Sequence, residues 1–177
     1  MARRAILTLG HPMLKRHAEA VELFDAGLRE LIADLFETMG DAHGIGLAAP
    51  QIDVSRRVIV VDPSPIDPEQ GRPLALVNPV IVAYAGSAVF EEGCLSIPGL
   101  YTDVRRPEQV TIRYADETGI ARDEVFEGIM ARVIQHERDH LDGVLFPDRV
   151  SSLRRAWLLR RYASNSAGRG PQHAPAL

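Results

Sequence analysis

Residues 135–143 read Gln135-His136-Glu137-Arg138-Asp139-His140-Leu141-Asp142-Gly143, and no other stretch restricts the fold as tightly. Two histidines four apart lie on one face of a helix, so both imidazoles can reach a single divalent metal ion. Glu137, one position round from His136, then stands beside that metal and can handle the protons of a bound water. Ile129, Val133, His136 and His140 fall at i, i+4, i+7 and i+11, which extends an apolar stripe into the histidines and turns them inward. Two hydrogen-bonded core histidines would fit the same stripe. A metal site therefore needs a further ligand.

A catalytic metal takes three protein ligands and keeps one position open. In the longer pattern H-E-x-x-H-x-x-G-x-x-H, Gly143 occupies the glycine position, but Phe146 stands where the third histidine belongs. No glutamate follows Glu137, and the only later histidine, His173, lies in a Gly/Pro/Ala-rich end. The third ligand is expected upstream, where the sole cysteine sits in Glu91-Glu92-Gly93-Cys94-Leu95-Ser96. A lone cysteine is commonly a small buried hydrophobe. Here Gly93 permits close backbone approach, polar residues flank the thiol, and Cys94 with His136 and His140 makes a three-ligand set. A closed structural site would need a fourth ligand, and no second cysteine exists.

Gly44-Ile45-Gly46-Leu47-Ala48-Ala49-Pro50-Gln51, Glu92-Gly93-Cys94-Leu95-Ser96 and Gln135-His136-Glu137-Arg138-Asp139-His140 follow one another in this order. With these three motifs, residues 6–150 resemble the peptide deformylases of bacterial type. The resemblance implies a hydrolase that removes the formyl group from the N-terminal formyl-methionine of nascent polypeptides. It implies one divalent ion per chain on Cys94, His136 and His140, ferrous iron in the cell, with zinc, nickel and cobalt suiting the same donors. Water activated by that metal attacks the formyl carbon, with Glu137 as general base and then acid. The Gln51 side-chain amide and the Leu95 backbone N–H donate to the charged formyl oxygen. The peptide pairs as a strand with the backbone of Ile45, Gly46 and Gly93, and Ile45 and Val133 border the methionine side chain. Two departures bear on local loop geometry: Asp53, where the family often has glycine, and Val104-Arg105-Arg106, where many members read Val-Pro-Arg. The alternative on the same helix is another H-E-x-x-H amidohydrolase or a zinc endopeptidase.

The rest of the chain fits one α+β domain of largely antiparallel sheets around the H-E-x-x-H helix, because strands precede that helix rather than alternate with helices. Residues 1–163 form the expected catalytic domain, with a last helix at 151–163 and a flexible tail at 164–177. Asp25 caps a helix whose apolar stripe is Leu28, Leu31, Ile32, Leu35, Phe36 and Met39, ending at Gly40,. Residues 44–51 read as a glycine-interrupted loop without the Lys-Ser/Thr pair of a phosphate cradle. Strands are expected at 57–62, 74–77, 80–84 and 88–92, and a hairpin at 110–125 turns over Asp116-Glu117-Thr118-Gly119. The metal helix ends at Gly143, and the last helix shows Leu153, Trp157, Leu158 and Tyr162 as its apolar side. His11 and His17 are expected at the surface.

No apolar run approaches the roughly eighteen residues of a membrane span, and one cysteine fits a reducing cytoplasm. All 24 acidic residues precede Arg149, while Arg149, Arg154, Arg155, Arg160, Arg161 and Arg169 follow without one. That polarity suits either an anionic partner or a merely solvated basic helix; with the deformylase resemblance, the partner implied is the ribosome, met weakly through Arg154, Arg155, Arg160 and Arg161.

Overall fold

Helix α1 (Ala26–Asp41) starts where Asp25 accepts the Leu28 N–H at 3.0 Å, the usual service of an aspartate at that position. It buries Leu28, Ile32, Leu35 and Met39. The computed structural model describes residues 3–166. After α1 come β1 (Gly46–Ala48), β2 (Val58–Val61), β3 (Leu74–Ala85), β4 (Ala88–Glu92), β5 (Thr102–Arg106), β6 (Gln109–Ala115), β7 (Ala121–Glu127), α2 (Gly128–Leu141) and α3 (Ser152–Ser166). Strands β1-β2-β3-β6-β7 form one sheet in that order, and β4-β5 form a second; every strand pairing is antiparallel.

The four residues of β2 explain how the sheet carries two helices. Val58 and Val60 join the cluster built on α1, whereas Ile59 and Val61 join the one built on α2. Successive side chains point to opposite faces, so an unbroken apolar run marks a strand covered on both sides. Helix α2 lies in this cover, and eleven of its residues are buried, including His136, Glu137, Asp139 and His140. Its end is firm: Val144 N–H donates to Asp139 at 2.9 Å and Gly143 sits at φ 70°, the left-handed stop expected there.

An N-terminal arm threads across the segments that carry the motifs. Leu7 N–H donates to the Gln51 carbonyl at 2.7 Å, Leu9 N–H to Ser96 at 2.8 Å, and Ala18 N–H to Leu141 at 2.8 Å. The arm leaves His11 and His17 exposed, as their sequence settings suggest.

Several expectations need correction. Residues 44–51 are not all loop: three of them pair as β1 with β2, and Ala49–Ile52 makes a 3-10 turn. A three-residue strand is too short to show its period. The two strands expected at 74–77 and 80–84 are one, β3, whose pairing with β6 shifts register between Val77 and Val80. Residues 102–106 also form a strand, its inward positions being Thr102, Val104 and Arg106; an arginine facing in hides the alternation. Helix α3 runs to Ser166, so 164–166 are helical rather than tail, and 167–177 lie outside the described residues. On α3 Leu158 is fully buried and Tyr162 half-buried, while Leu153 and Trp157 are 78% and 48% exposed. The predicted apolar side is half as wide as its spacing suggested.

Asn78 makes the irregularity in β3 possible. It holds φ 52°, a region asparagine enters more readily than most residues, and its side chain grips Val21 at both ends. Val21 N–H donates to Oδ1 and Nδ2 donates to the Val21 carbonyl, each at 2.9 Å. Asn78→Ala is expected to lower stability by about 1–3 kcal/mol, read as a shift of the urea midpoint, with turnover per folded molecule unchanged.

Candidate metal centre

Helix α2 presents His136, Glu137 and His140, and the turn after β4 presents Cys94. That turn is closed by Ile97 N–H donating to the Cys94 carbonyl at 2.9 Å. The ligand atoms of Cys94, His136 and His140 lie within 4.8 Å of one another, and all three residues are buried. Cys94 Sγ stands 3.2 Å from His140 Nε2, close to the spacing of about 3.5 Å between neighbouring ligands of one tetrahedral ion. His136 Nε2 is buried and has no hydrogen-bond partner among the described residues. A bare imidazole nitrogen in a protein interior calls for an explanation, and a metal ion supplies it. One sulfur and two nitrogens suit zinc, ferrous iron, cobalt and nickel. The residues fit such an ion.

A set of buried charges holds His136 from behind. Glu92 Oε2 lies 3.0 Å from His136 Nδ1. Arg106 donates to the same carboxylate through Nε at 2.7 Å and Nη2 at 2.9 Å, and through Nη1 to Asp139 at 2.8 Å. Arg132 adds a bond to Glu92 Oε1 at 2.8 Å, and Arg149 Nε bonds Asp139 at 2.9 Å. Burial by itself would raise the Glu92 pKa, but its bonds from His136 and Arg106 outweigh burial and hold it well below the usual carboxylate range. Glu92 is thus an anion that fixes Nδ1 of His136 as the proton-bearing nitrogen. Nε2 is left with its lone pair free for a metal.

Glu137 is 1% exposed, and its pKa is pushed up to about 7, chiefly by burial, against the opposing pull of His136 and Arg106. Its place depends on Gly46. A Cβ there would stand 2.5 Å from Glu137 Oε1 and 2.7 Å from Val133 Cγ1. At Gly93 a Cβ would meet the Tyr101 ring at 2.6 Å. Both glycines, read as room for a peptide, are needed first by the protein's own side chains. Ile45 and Val133 are both buried in the cluster under α2.

Gln51 is already oriented. Its Oε1 accepts the Ala48 N–H at 2.8 Å, and its Nε2 points to Ser96 Oγ at 3.1 Å, with Cys94 Sγ 3.7 Å away. The Leu95 N–H has no acceptor among the described residues. These groups surround the cysteine side of the cluster. The structure thus gathers every sequence-predicted ligand, Glu137 and Gln51 into one place.

Sequence reasoning assigned no role to Glu92, Arg106, Arg132 or Asp139. Glu92 was visible only as the start of a motif. Arg106 was read as part of a departure in loop geometry, whereas it lies on β5 and is 4% exposed; its charge at an inward position is what hides the strand. The other departure proves harmless to the backbone. Asp53 adopts φ 63°, the left-handed conformation that glycine takes freely and aspartate tolerates.

Comparison with known proteins agrees with this geometry. The sequence model of the polypeptide deformylase family matches residues 3–156. A peptide deformylase of Rhizobium meliloti is 42% identical over 171 residues, covering 96% of this chain and 98% of the relative. One from Chlorobaculum parvum is 49% identical over 146 residues, covering 82% of this chain and 78% of its own. The crystal structure of a peptide deformylase from Legionella pneumophila superposes with TM-score 0.85 at 44% identity, over 96% of this chain and 100% of that one. That of Ehrlichia chaffeensis in complex with actinonin gives 0.86 at 34% identity, with the same coverage. A match that runs nearly end to end, in sequence and in backbone alike, makes this chain a member of the polypeptide deformylase family.

Proposed function

We infer that this chain removes the formyl group from the N-terminal formyl-methionine of nascent polypeptides, a metal-dependent hydrolysis. The observation that carries the reading is the buried Cys94-His136-His140 cluster with the unpartnered His136 Nε2 beside Glu137. Cys94, His136 and His140 would hold a divalent ion there, which would supply Lewis acidity and acidify a water enough to react at neutral pH,. Glu137 takes the proton of the attacking water and returns it to the leaving amine. Gln51 Nε2 and the Leu95 N–H are the donors for the negative charge that grows on the formyl oxygen, and losing one such donor typically costs roughly 10²- to 10³-fold in turnover. Gln51 reaches this place without searching, because Ala48 fixes its other end.

Strand β1 is an edge of its sheet, which supports the addition of an extended peptide along Ile45 and Gly46, with Gly93 opposite. Ile45 and Val133 border the methionine side chain. Ferrous iron is the ion proposed in the cell, zinc, nickel and cobalt being the alternatives the same donors accept. The place of action is the cytoplasm, where nascent chains emerge; the single cysteine suits its reducing conditions. No described helix is long and apolar enough to cross a membrane.

The basic end is proposed to promote weak ribosome association, with its four arginines in unequal parts. Arg154 Nε donates to Thr102 Oγ1 at 2.8 Å and Arg155 Nε to Asp148 at 2.6 Å, so these two also seat α3. Arg160 is exposed, and Arg161 lies over the Trp157 ring at 5.3 Å. The outward pair, Arg160 and Arg161, is therefore the part to test.

Four outcomes check this reading. Protein purified without oxygen is expected to carry about one iron per chain and to release formate from formyl-Met peptides while leaving internal peptide bonds intact. Glu137→Gln should keep that metal and lose turnover by several orders of magnitude; a metal-loaded variant with normal turnover removes Glu137 from the chemistry. Glu92→Gln should weaken metal retention roughly 10- to 100-fold, measured by competition with a chelator, since a neutral amide no longer fixes Nδ1 of His136 as the proton-bearing nitrogen and leaves Arg132 without its carboxylate. In co-sedimentation with ribosomes, Arg160→Gln/Arg161→Gln should dissociate at lower salt than the parent while matching its turnover on a short formyl peptide; equal sedimentation shows a merely solvated face.

A further inference from the structure

The two sides of α2 face different surroundings. His136, Glu137 and His140 share one stripe, whereas Gln135, Arg138 and Asp139 share the stripe behind it. That second stripe, with Ile81 and Tyr84 of β3, Arg105 and Arg106 of β5 and Arg149 before α3, lines a cleft of about 310 Å³. Four arginines there meet one carboxylate, Asp139.

Asp139 cannot balance them. It is held by Arg106 Nη1 at 2.8 Å and Arg149 Nε at 2.9 Å, and Arg106 commits its other donors to Glu92. Among the described residues, the Arg105 guanidinium meets only Ser87 Oγ, at 3.3 Å. Arg138 reaches Asp142 at 3.0 Å, but that carboxylate also serves Arg57 at 2.9 Å. The Arg138 Nε, moreover, is buried without any acceptor among the described residues. A guanidinium held so incompletely gains by swinging towards an incoming oxygen. Across the cleft, Tyr84 is 75% exposed and offers a flat apolar wall.

We propose that this cleft binds a phosphate-bearing anion of nucleotide size, its phosphate gathered by Arg105 and Arg138 and its ring laid against Tyr84. Planar guanidinium forks match phosphate oxygens in a way a point cation does not. The volume lies at the small end of ligand sites, adequate for a single nucleotide. Nothing in this cleft is asked to contact the formyl peptide; Arg106 and Asp139, which it shares with the charge set behind His136, are left out of the proposed phosphate contacts.

The test uses the full chain loaded with zinc and labelled with ¹⁵N. Inorganic phosphate, adenosine monophosphate and chloride are titrated at matched ionic strength while the arginine Nε–H signals are followed. The Arg105 and Arg138 signals are expected to shift saturably with phosphate, at lower concentration with the nucleotide, and not with chloride. By calorimetry, Arg105→Gln/Arg138→Gln should bind the nucleotide at least about tenfold more weakly with deformylation unchanged. Chloride moving the same signals equally would reduce the cleft to a counter-ion patch and overturn the proposal. So would unchanged affinity in the double variant, which would place the anion at the metal. A nucleotide binding no more tightly than inorganic phosphate would overturn the assignment of the ring to Tyr84.

Discussion

The carboxylate of Glu92 is the interaction on which the rest of the centre depends. It is fully buried, and an unpaired charge in such a place would be prohibitive. Arg106, Arg132 and His136 converge on it from β5 and α2, so the anion is stable only when the β4-β5 sheet and the helix are in register. Removing one partner of such a set typically costs about 3–5 kcal/mol. The same bonds that make the charge tolerable also decide which imidazole nitrogen of His136 faces the metal. Fold and chemistry share one set of contacts.

This explains how α2 can be buried although so many of its side chains are polar. Each inward polar residue meets a partner from another element, belongs to the metal cluster or, as Glu137 does, stands beside it. Arg106 and Arg149 hold Asp139, and Gln135 Nε2 donates to the Pro107 carbonyl at 2.9 Å. The sheet supplies the apolar remainder through β2 and β3. Because the helix is fixed on all sides, Glu137 and the two histidines need little reorganisation when substrate arrives.

What was legible in the sequence was whatever a single element carries within itself. The histidine spacing, the Asp25 cap, the stripe of α1 and the stop at Gly143 are all local, and the structure contains each of them. Cys94 could be nominated because no other ligand was available downstream. The ring around His136 was not legible, because Glu92, Arg106, Arg132 and Asp139 meet only through tertiary packing. Arg106 also disguised β5, since a charge at an inward position breaks the alternation that identifies a strand. Leu153 and Trp157 misled for the opposite reason: helical spacing shows that residues share a side, not that the body extends far enough to cover it.

The arm of residues 7–18 ties together three segments that lie far apart in the chain: Gln51, Ser96 and Leu141. It precedes all three in the chain, and the last of them is not made until the end of α2 has been synthesised. Contacts between such distant residues slow folding, because the entropy of closing the loop is lost before the contact is gained. An enzyme acting on emerging chains thus closes the frame of its own active site only once the end of α2 has been made. Until then residues 7–18 lack the last of the three segments they close upon.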